Sequence, residues 1–208
     1  TYSHEEELLL SWAHWFAEQD VDIVTGYNIT GFDFGYLNAR ANWLGIGEAF
    51  RDTLSKVSGS AARIDDVQGG SAQMGISKYA RVSLPGCDIV DACVLFKRGF
   101  KLSSYKLEAV ASEFLHEHKD PVSHMDIPIL QAGSAADRSR LAKYCVQDAL
   151  LPLRLLDAKQ LLTEVLEFAR CTGVDAQRIV EGGQVVRLVS RLLRAARFEQ
   201  PYPYVLPN

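Results

Sequence analysis

The chain has 208 residues, 48% of them hydrophobic and 23% charged, an ordinary composition for one globular domain and enough to bury a core without disulfide or metal staples. With 22 Lys and Arg against 26 Asp and Glu the formal net charge is −4, which excludes a non-specific grip on phosphate backbones as the main activity, so any nucleic-acid contact must be local. Four cysteines, Cys87, Cys93, Cys145 and Cys171, lie scattered without a C-x-x-C pair, which disfavours a zinc site or a disulfide framework and fits a reducing compartment.

No apolar run approaches the roughly 18 residues of a membrane span, and no basic-then-apolar signal opens the chain, so a soluble intracellular protein with no membrane partner is expected. The first residues are Thr1-Tyr2 without a methionine and the last are Leu206-Pro207-Asn208. Both ends read as cut from a longer polypeptide.

Residues 4–19 place Leu8, Leu9, Trp12, Trp15 and Phe16 at helical spacing behind an acidic first turn, which predicts an amphipathic helix. Residues 21–27 carry the β-branched Val21, Ile23, Val24 and Thr25 with Gly26 near the end, the pattern of a short buried strand. Helix followed by strand points to an α/β core. After a polar turn at 28–31, Phe34, Leu37, Ala41 and Leu44 recur at helical spacing, so a second helix is expected over 33–44 with Asp33 as its first residue. Residues 55–75 are small and polar without periodicity and read as a loop or mobile insertion. Residues 79–94 mix β-formers with the turn dipeptide Pro85-Gly86 and predict a hairpin leading into a core strand near 87–90. Residues 107–117 and 136–168 are helical by pattern, with Pro152 expected to kink or divide the second. Gly182-Gly183 interrupts, and 185–198 forms a last, basic amphipathic helix.

Two places can carry chemistry. Asp33 follows a strand end and a short polar turn, a position that projects a carboxylate at the mouth of an α/β sheet, where ligands of such sheets sit. The plainer reading is an acidic residue favouring its own helix N-terminus. Tyr144 and Asp148 stand four residues apart on a helix and therefore share a face; the pair can bind a metal and orient a water, or be a half-buried helix edge. Hard carboxylates on separate elements are how proteins hold Mg²⁺ while leaving coordination positions for substrate phosphates. Two are too few for a two-metal site by themselves. His116, His118 and His124 cluster without a common strand or helix phase and read as a solvated loop. Arg187, Arg191, Arg194 and Arg197 form a helical stripe that suits either a solvated face or DNA contact.

At these residues the sequence resembles the 3′–5′ exonuclease region of family B replicative DNA polymerases, most closely the delta type and its relatives in large DNA viruses. VDIVTGYNITGFDFGYL (21–37) is similar to the family's second exonuclease motif, and RGFKLSSYKLEAVASEFL (98–115) to the stretch before the third. LAKYCVQDALLPLRLL (141–156) resembles the third motif with its Tyr-x-x-x-Asp, and CTGVDAQRIVEGGQVVRLVSRLLR (171–194) resembles the segment leading towards the polymerase palm. The likeness runs through nearly the whole chain in order.

The resemblance implies a ribonuclease-H-like α/β fold, a mixed sheet with flanking helices and its N-terminal strands missing. It implies residues 1–170 as a partial exonuclease domain and 171–208 as a helical lead towards the palm. The implied activity is proofreading: removal of mispaired 3′ nucleotides of DNA by a two-metal hydrolysis, within a DNA-directed DNA polymerase. Asp33 and Asp148 would be ligands of two Mg²⁺ ions, for which Mn²⁺ substitutes. Tyr144 would help orient the water, and Asn28 and Phe32 would meet the single-stranded primer end. The implied partners are that DNA, the rest of the polymerase chain and replicative accessory subunits, and the implied location is the nucleus or a viral replication site. The family's first motif, an Asp-x-Glu, lies before Thr1, so the 208 residues alone are expected to be inactive. Gly31, Gly35 and Leu115-His116 depart from the family pattern and read as divergence. A catalytically inactive module that positions single-stranded DNA is the alternative; retention of Asp33, Tyr144 and Asp148 argues against it.

Overall fold

A computed structural model describes residues 2–71, 75–117, 122–123 and 125–199. The chain is mixed α/β, with ten helices and four strands among the described residues. It divides into two compact units, the first of Thr1–Val24, Ile29–Val90 and Leu162–Asn208, the second of Thr25–Asn28 and Asp91–Leu161.

The first unit opens with α1 (Glu5–Glu18), whose Glu5, Glu6 and Glu7 sit in the first turn, where the helix dipole favours negative charge. It buries Leu9 and Ala13, and the Trp12 ring stacks on Phe50 at 6.2 Å. Leu8 and Trp15, expected in the apolar stripe, are instead exposed. The buried arc is narrower than the run of apolar letters. Strand β1 (Ile23–Gly26) and the turn after it lead to α2 (Asp33–Trp43), which begins at the expected aspartate. Arg40 of α2 donates to both carboxylate oxygens of Glu5 at 2.6 Å, tying α2 to α1. Helix α3 (Gly47–Thr53) follows, and a Cβ at its first residue would lie 1.9 Å from Asn42 Oδ1, so a larger residue there requires the Asn42 side chain to move.

The segment read as a loop over 55–75 is a correction. Residues Arg63–Ser71 form β2, paired antiparallel with β3 (Gly75–Ser83), from Arg63 opposite Ser83 to Ser71 opposite Gly75. Ala62 and Ile64 are buried while Arg63 and Asp65 are exposed, and Ala80, Val82 and Leu84 alternate with exposed Arg81 and Ser83. That is the period-2 pattern of a half-buried ribbon. Asp65, Asp66 and the glycines depress strand propensity, so the pairing with β3, not local preference, makes this segment a strand. The Pro85-Gly86 turn is present, with Cys87 N–H donating to Leu84 O at 2.9 Å and Gly86 at φ +90°, the left-handed corner that favours glycine. Its flanks make only a single bridge. Strand β4 (Asp88–Asp91) pairs with β1 rather than β3.

Helices α8 (Leu161–Thr172), α9 (Ala176–Glu181) and α10 (Gln184–Glu199) close the described chain. Asp88 Oδ2 accepts from Ala176 N–H at 3.0 Å, and Gln177 both donates to Val82 O (2.6 Å) and accepts from Ile89 N–H (3.2 Å). These bonds fix α9 against the ends of β3 and β4. The arginine stripe of α10 is not uniform: Arg187 lies over the Phe168 ring at 4.7 Å and donates to Ile179 O, whereas Arg191, Arg194 and Arg197 are exposed.

In the second unit α4 (Ala92–Gly99), α5 (Leu107–Leu115) and α7 (Ala135–Ala158) pack around Phe96, Val110, Leu155 and Leu156, while α6 (Asp126–Ala132) lies against α7 and buries none of its own residues. Ser134 and Asp137 form a reciprocal capping box that starts α7. Pro152 neither ends nor divides this helix, a second correction. Its ring is fully buried, and the packing it gains offsets the hydrogen bond a proline cannot give. The break comes at Gln160, with φ +53°. Of the histidine cluster, His116 caps α5 in the left-handed conformation, while His118 and His124 lie outside the described residues. No described helix is long and apolar enough to cross a membrane.

Burial pushes the Cys93 thiol above its usual range, and Cys87 likewise, which reduces their thiolate. Cys145 and Cys171 are exposed. At pH 7.5 a maleimide reagent is therefore expected to label Cys145 and Cys171 rapidly and Cys93 only after unfolding, as peptide mass mapping can read. Prompt labelling of Cys93 would contradict the packing of α4.

Candidate functional site

The segment between β1 and α2 is built to present side chains. Gly26 ends the strand, Asn28 takes the left-handed conformation at φ +62°, and Phe34 N–H donates to Ile29 O at 3.1 Å as the helix starts. Ala80 N–H of β3 donates to Thr30 O at 2.7 Å and holds the turn from the side. Asp33 is the first residue of α2 and exposed, with Phe32 in the N-cap position. Both readings of Asp33 from sequence survive here, since a carboxylate in a first helical turn is favoured by the dipole and is also displayed to a ligand. Phe32 is 62% exposed, and its ring stacks on Tyr36 one turn along at 5.9 Å and 11°. An exposed ring pair of this kind offers a flat apolar face to solvent.

Asn28 itself is exposed and belongs to the second unit. Its amide donates to Asp91 Oδ1 at 2.8 Å, and Cys93 N–H donates to the same oxygen at 2.9 Å. A left-handed non-glycine backbone costs about 1 kcal/mol, whereas a hydrogen bond to a charged group contributes about 2 kcal/mol, so the Asp91 bond suffices to hold Asn28 there. Tyr27, the preceding residue, donates its hydroxyl to Tyr105 O at 2.6 Å. Burial, reinforced by the Cys93 thiol and the Asp91 carboxylate, pushes that hydroxyl far above the usual tyrosine range, so it remains a donor at all physiological pH.

Tyr144 and Asp148 lie one turn apart on α7, both half-buried, and Asp148 Oδ1 is screened from solvent. Pro152, one further turn along, has no N–H to offer the Asp148 carbonyl. On the adjoining stripe of α7, Lys143, Gln147 and Arg154 help line an open cavity of about 410 Å³. The structure thus brings Tyr144 and Asp148 together in the second unit, and Phe32 and Asp33 together in the first. Asp33 and Asp148 are hard oxygen donors of the kind that suit Mg²⁺. Among the described residues no group of three or more His, Cys, Asp or Glu is arranged to hold a metal ion. The donor chemistry of each carboxylate fits the cation, Asp33 in the first unit and Asp148 in the second.

Sequence reasoning missed Asp91 and Tyr36. Tyr36 was within reach as the residue four after Phe32. Asp91 carried the signal of an aspartate just after the core strand expected near 87–90, where no helix start was read.

Comparison with known proteins bears on what this geometry serves. Residues 1–110 match the family described as DNA polymerase family B, exonuclease domain. The chain belongs to this family. It is 40% identical over 207 residues to the DNA polymerase delta catalytic subunit of Glycine max, covering 100% of this chain and 19% of that protein. The same subunit of Mesocricetus auratus is 41% identical over 196 residues, and that of Drosophila melanogaster 38% over 196, each covering 94% of this chain and 18% of the relative. The chain spans about a fifth of the length of these relatives, and its likeness to them extends beyond the residues of the family match into α5–α10.

Proposed function

We propose that this chain is the proofreading 3′–5′ exonuclease part of a family B replicative DNA polymerase of the delta type. The observation that carries the reading is the family match over residues 1–110, which contains the β1–turn–α2 segment with Asp33 as its first helical residue. In this reading the fold is ribonuclease-H-like, residues 1–170 form a partial exonuclease domain, and 171–208 lead towards the polymerase palm. The substrate is the single-stranded 3′ end of a primer. The remaining partners are the rest of the polymerase chain and its replicative accessory subunits, and the location is the nucleus or a viral replication site.

Asp33 and Asp148 are the residues that would hold two Mg²⁺ ions, with Mn²⁺ as a substitute. Bound there, the cations supply positive charge to the scissile phosphate and a more acidic water. The protein's own residues provide the geometry. The Phe32–Tyr36 ring pair offers a stacking face to a base of the frayed strand, and stacking is tolerant of sequence, as proofreading requires. Asn28 presents a side-chain amide to the primer end. The Tyr144 phenol, one helical turn from Asp148, accepts or donates a hydrogen bond to the attacking water and fixes its direction.

The test is metal-dependent release of a mispaired 3′ nucleotide by the full polymerase chain carrying these residues. Tyr144→Phe is expected to lower kcat for excision about tenfold with KM for DNA unchanged, because the phenol aligns a nucleophile rather than the strand. An equal loss of DNA affinity would make Tyr144 a strand contact. Absence of metal-dependent excision in the unaltered protein would leave a module that positions single-stranded DNA without cutting it.

A further inference from the structure

Asp91 ends β4 and serves as the N-cap of α4, yet it is 2% exposed, and among the described residues it is the one buried acidic side chain. Capping alone does not explain it. An N-cap needs only a short side-chain oxygen near the first turn, which serine supplies without burying a carboxylate. What aspartate adds is reach. Its Oδ1 accepts from Cys93 N–H inside α4 and also from the amide of Asn28, 63 positions earlier in the chain. Asn28 is the exposed residue with the left-handed backbone, and its neighbour Tyr27 is anchored through its hydroxyl on Tyr105 O. An exposed amide side chain is thus carried on a backbone held at two successive residues by buried groups, the arrangement of a group whose direction matters. Like ends of β1 and β4 also lie together: Asp88 N–H, at the start of β4, bonds Asp22 O just before β1, while Asp91, at its end, bonds Asn28 just after β1. The carboxyl ends of such paired strands are where α/β proteins bind ligands.

We infer that Asp91 is a positioning residue of the exonuclease site, its buried carboxylate fixing the backbone of Asn28 and so aiming the Asn28 side chain at the 3′ end of the bound strand. The identity of the strand rests on the proposed exonuclease function; the tie between Asp91 and Asn28 does not. No proton or bond changes hands at Asp91.

Three substitutions in the full polymerase chain separate the roles. Asp91→Asn keeps an oxygen able to accept both amides. Asp91→Ser keeps the cap of α4 and loses the reach to Asn28. Asn28→Gly keeps the left-handed backbone and removes the side chain. Asp91→Ser and Asn28→Gly are each expected to lower kcat/KM for excision of a mispaired 3′ nucleotide by about tenfold. The double variant should excise no more slowly than Asn28→Gly alone, since Asp91 acts through Asn28. Asp91→Asn should restore excision to within about twofold of the native rate, and nucleotide addition should be untouched in all of them. Losses that multiply in the double variant, or an Asp91→Asn protein as slow as Asp91→Ser, overturn the inference.

Amide hydrogen exchange at Asn28, measured without DNA, reads the tie by itself. It should be slow in the native and Asp91→Asn proteins and at least about tenfold faster in Asp91→Ser; unchanged exchange in Asp91→Ser overturns the inference whatever excision does. Native excision by Asn28→Gly would instead remove Asn28 from the exonuclease reading, and with it the aim assigned to Asp91, even where exchange reports the tie.

Discussion

Replacing Asp148 with asparagine in the full polymerase chain is expected to slow excision of a mispaired 3′ nucleotide by roughly 10³-fold while leaving nucleotide addition intact. The substitution is isosteric and sits in the middle of α7, which is started by a full capping box and held by the buried Leu151, Leu155 and Leu156 below it. The helix therefore persists, and what is lost is one negative charge. That charge is the ligand proposed for a cation opposite a phosphate, and an amide oxygen does not replace it. Excision of a labelled, mispaired primer measured beside primer extension reads both activities in one preparation. A native excision rate in Asp148→Asn would remove Asp148 from the site, and a parallel fall in extension would mean that the fold had been damaged.

The parts of this site legible in the sequence are those that local rules decide. Asp33 begins α2 because a β-branched strand, a polar turn and a 3–4–3 apolar spacing leave nowhere else for the helix to start. Tyr144 and Asp148 share a face because four residues make roughly one helical turn. The parts that escaped depend on partners distant in the chain. Strand β2 contains Asp65, Asp66, Gly69 and Gly70, and the buried Ala62 just before it and Ile64 within it read as an alternation only beside Ala80 and Val82 of β3, which it joins. Pro152 obeys the rule against prolines in helices at the level of one hydrogen bond, but its buried ring outweighs that rule at the level of the core. Asp91 is a single letter between Val90 and Ala92 until the fold brings Asn28 to it. Nor does composition mark where the chain passes between its two units, which happens inside β1, at Asn28, inside β4 and after Leu161.

The core beneath α7 sets the other large effect. Phe96 is completely buried, with its ring 5.3 Å from Phe100 and 5.4 Å from Phe114, and it packs with Val110, Leu155 and Leu156. Around this group α4, α5 and α7 meet, and Lys159 at the end of α7 lays its ammonium 4.7 Å from the Phe114 ring centroid. Truncation to alanine removes the ring's transfer free energy and leaves a void that rigid neighbours do not fill, so Phe96→Ala is expected to cost about 3–5 kcal/mol. That is a large share of the 5–15 kcal/mol by which domains of this kind are held folded. Phe96→Leu refills most of the space and should cost about half as much or less. Urea titrations followed by far-ultraviolet circular dichroism give both values, since the elements that meet at this core are helices. A Phe96→Ala protein within about 1 kcal/mol of native would mean that the three rings do not form the packed centre on which α7 rests. Loss of excision in that variant at temperatures where Phe96→Leu still excises would tie the integrity of this core to the placement of Asp148.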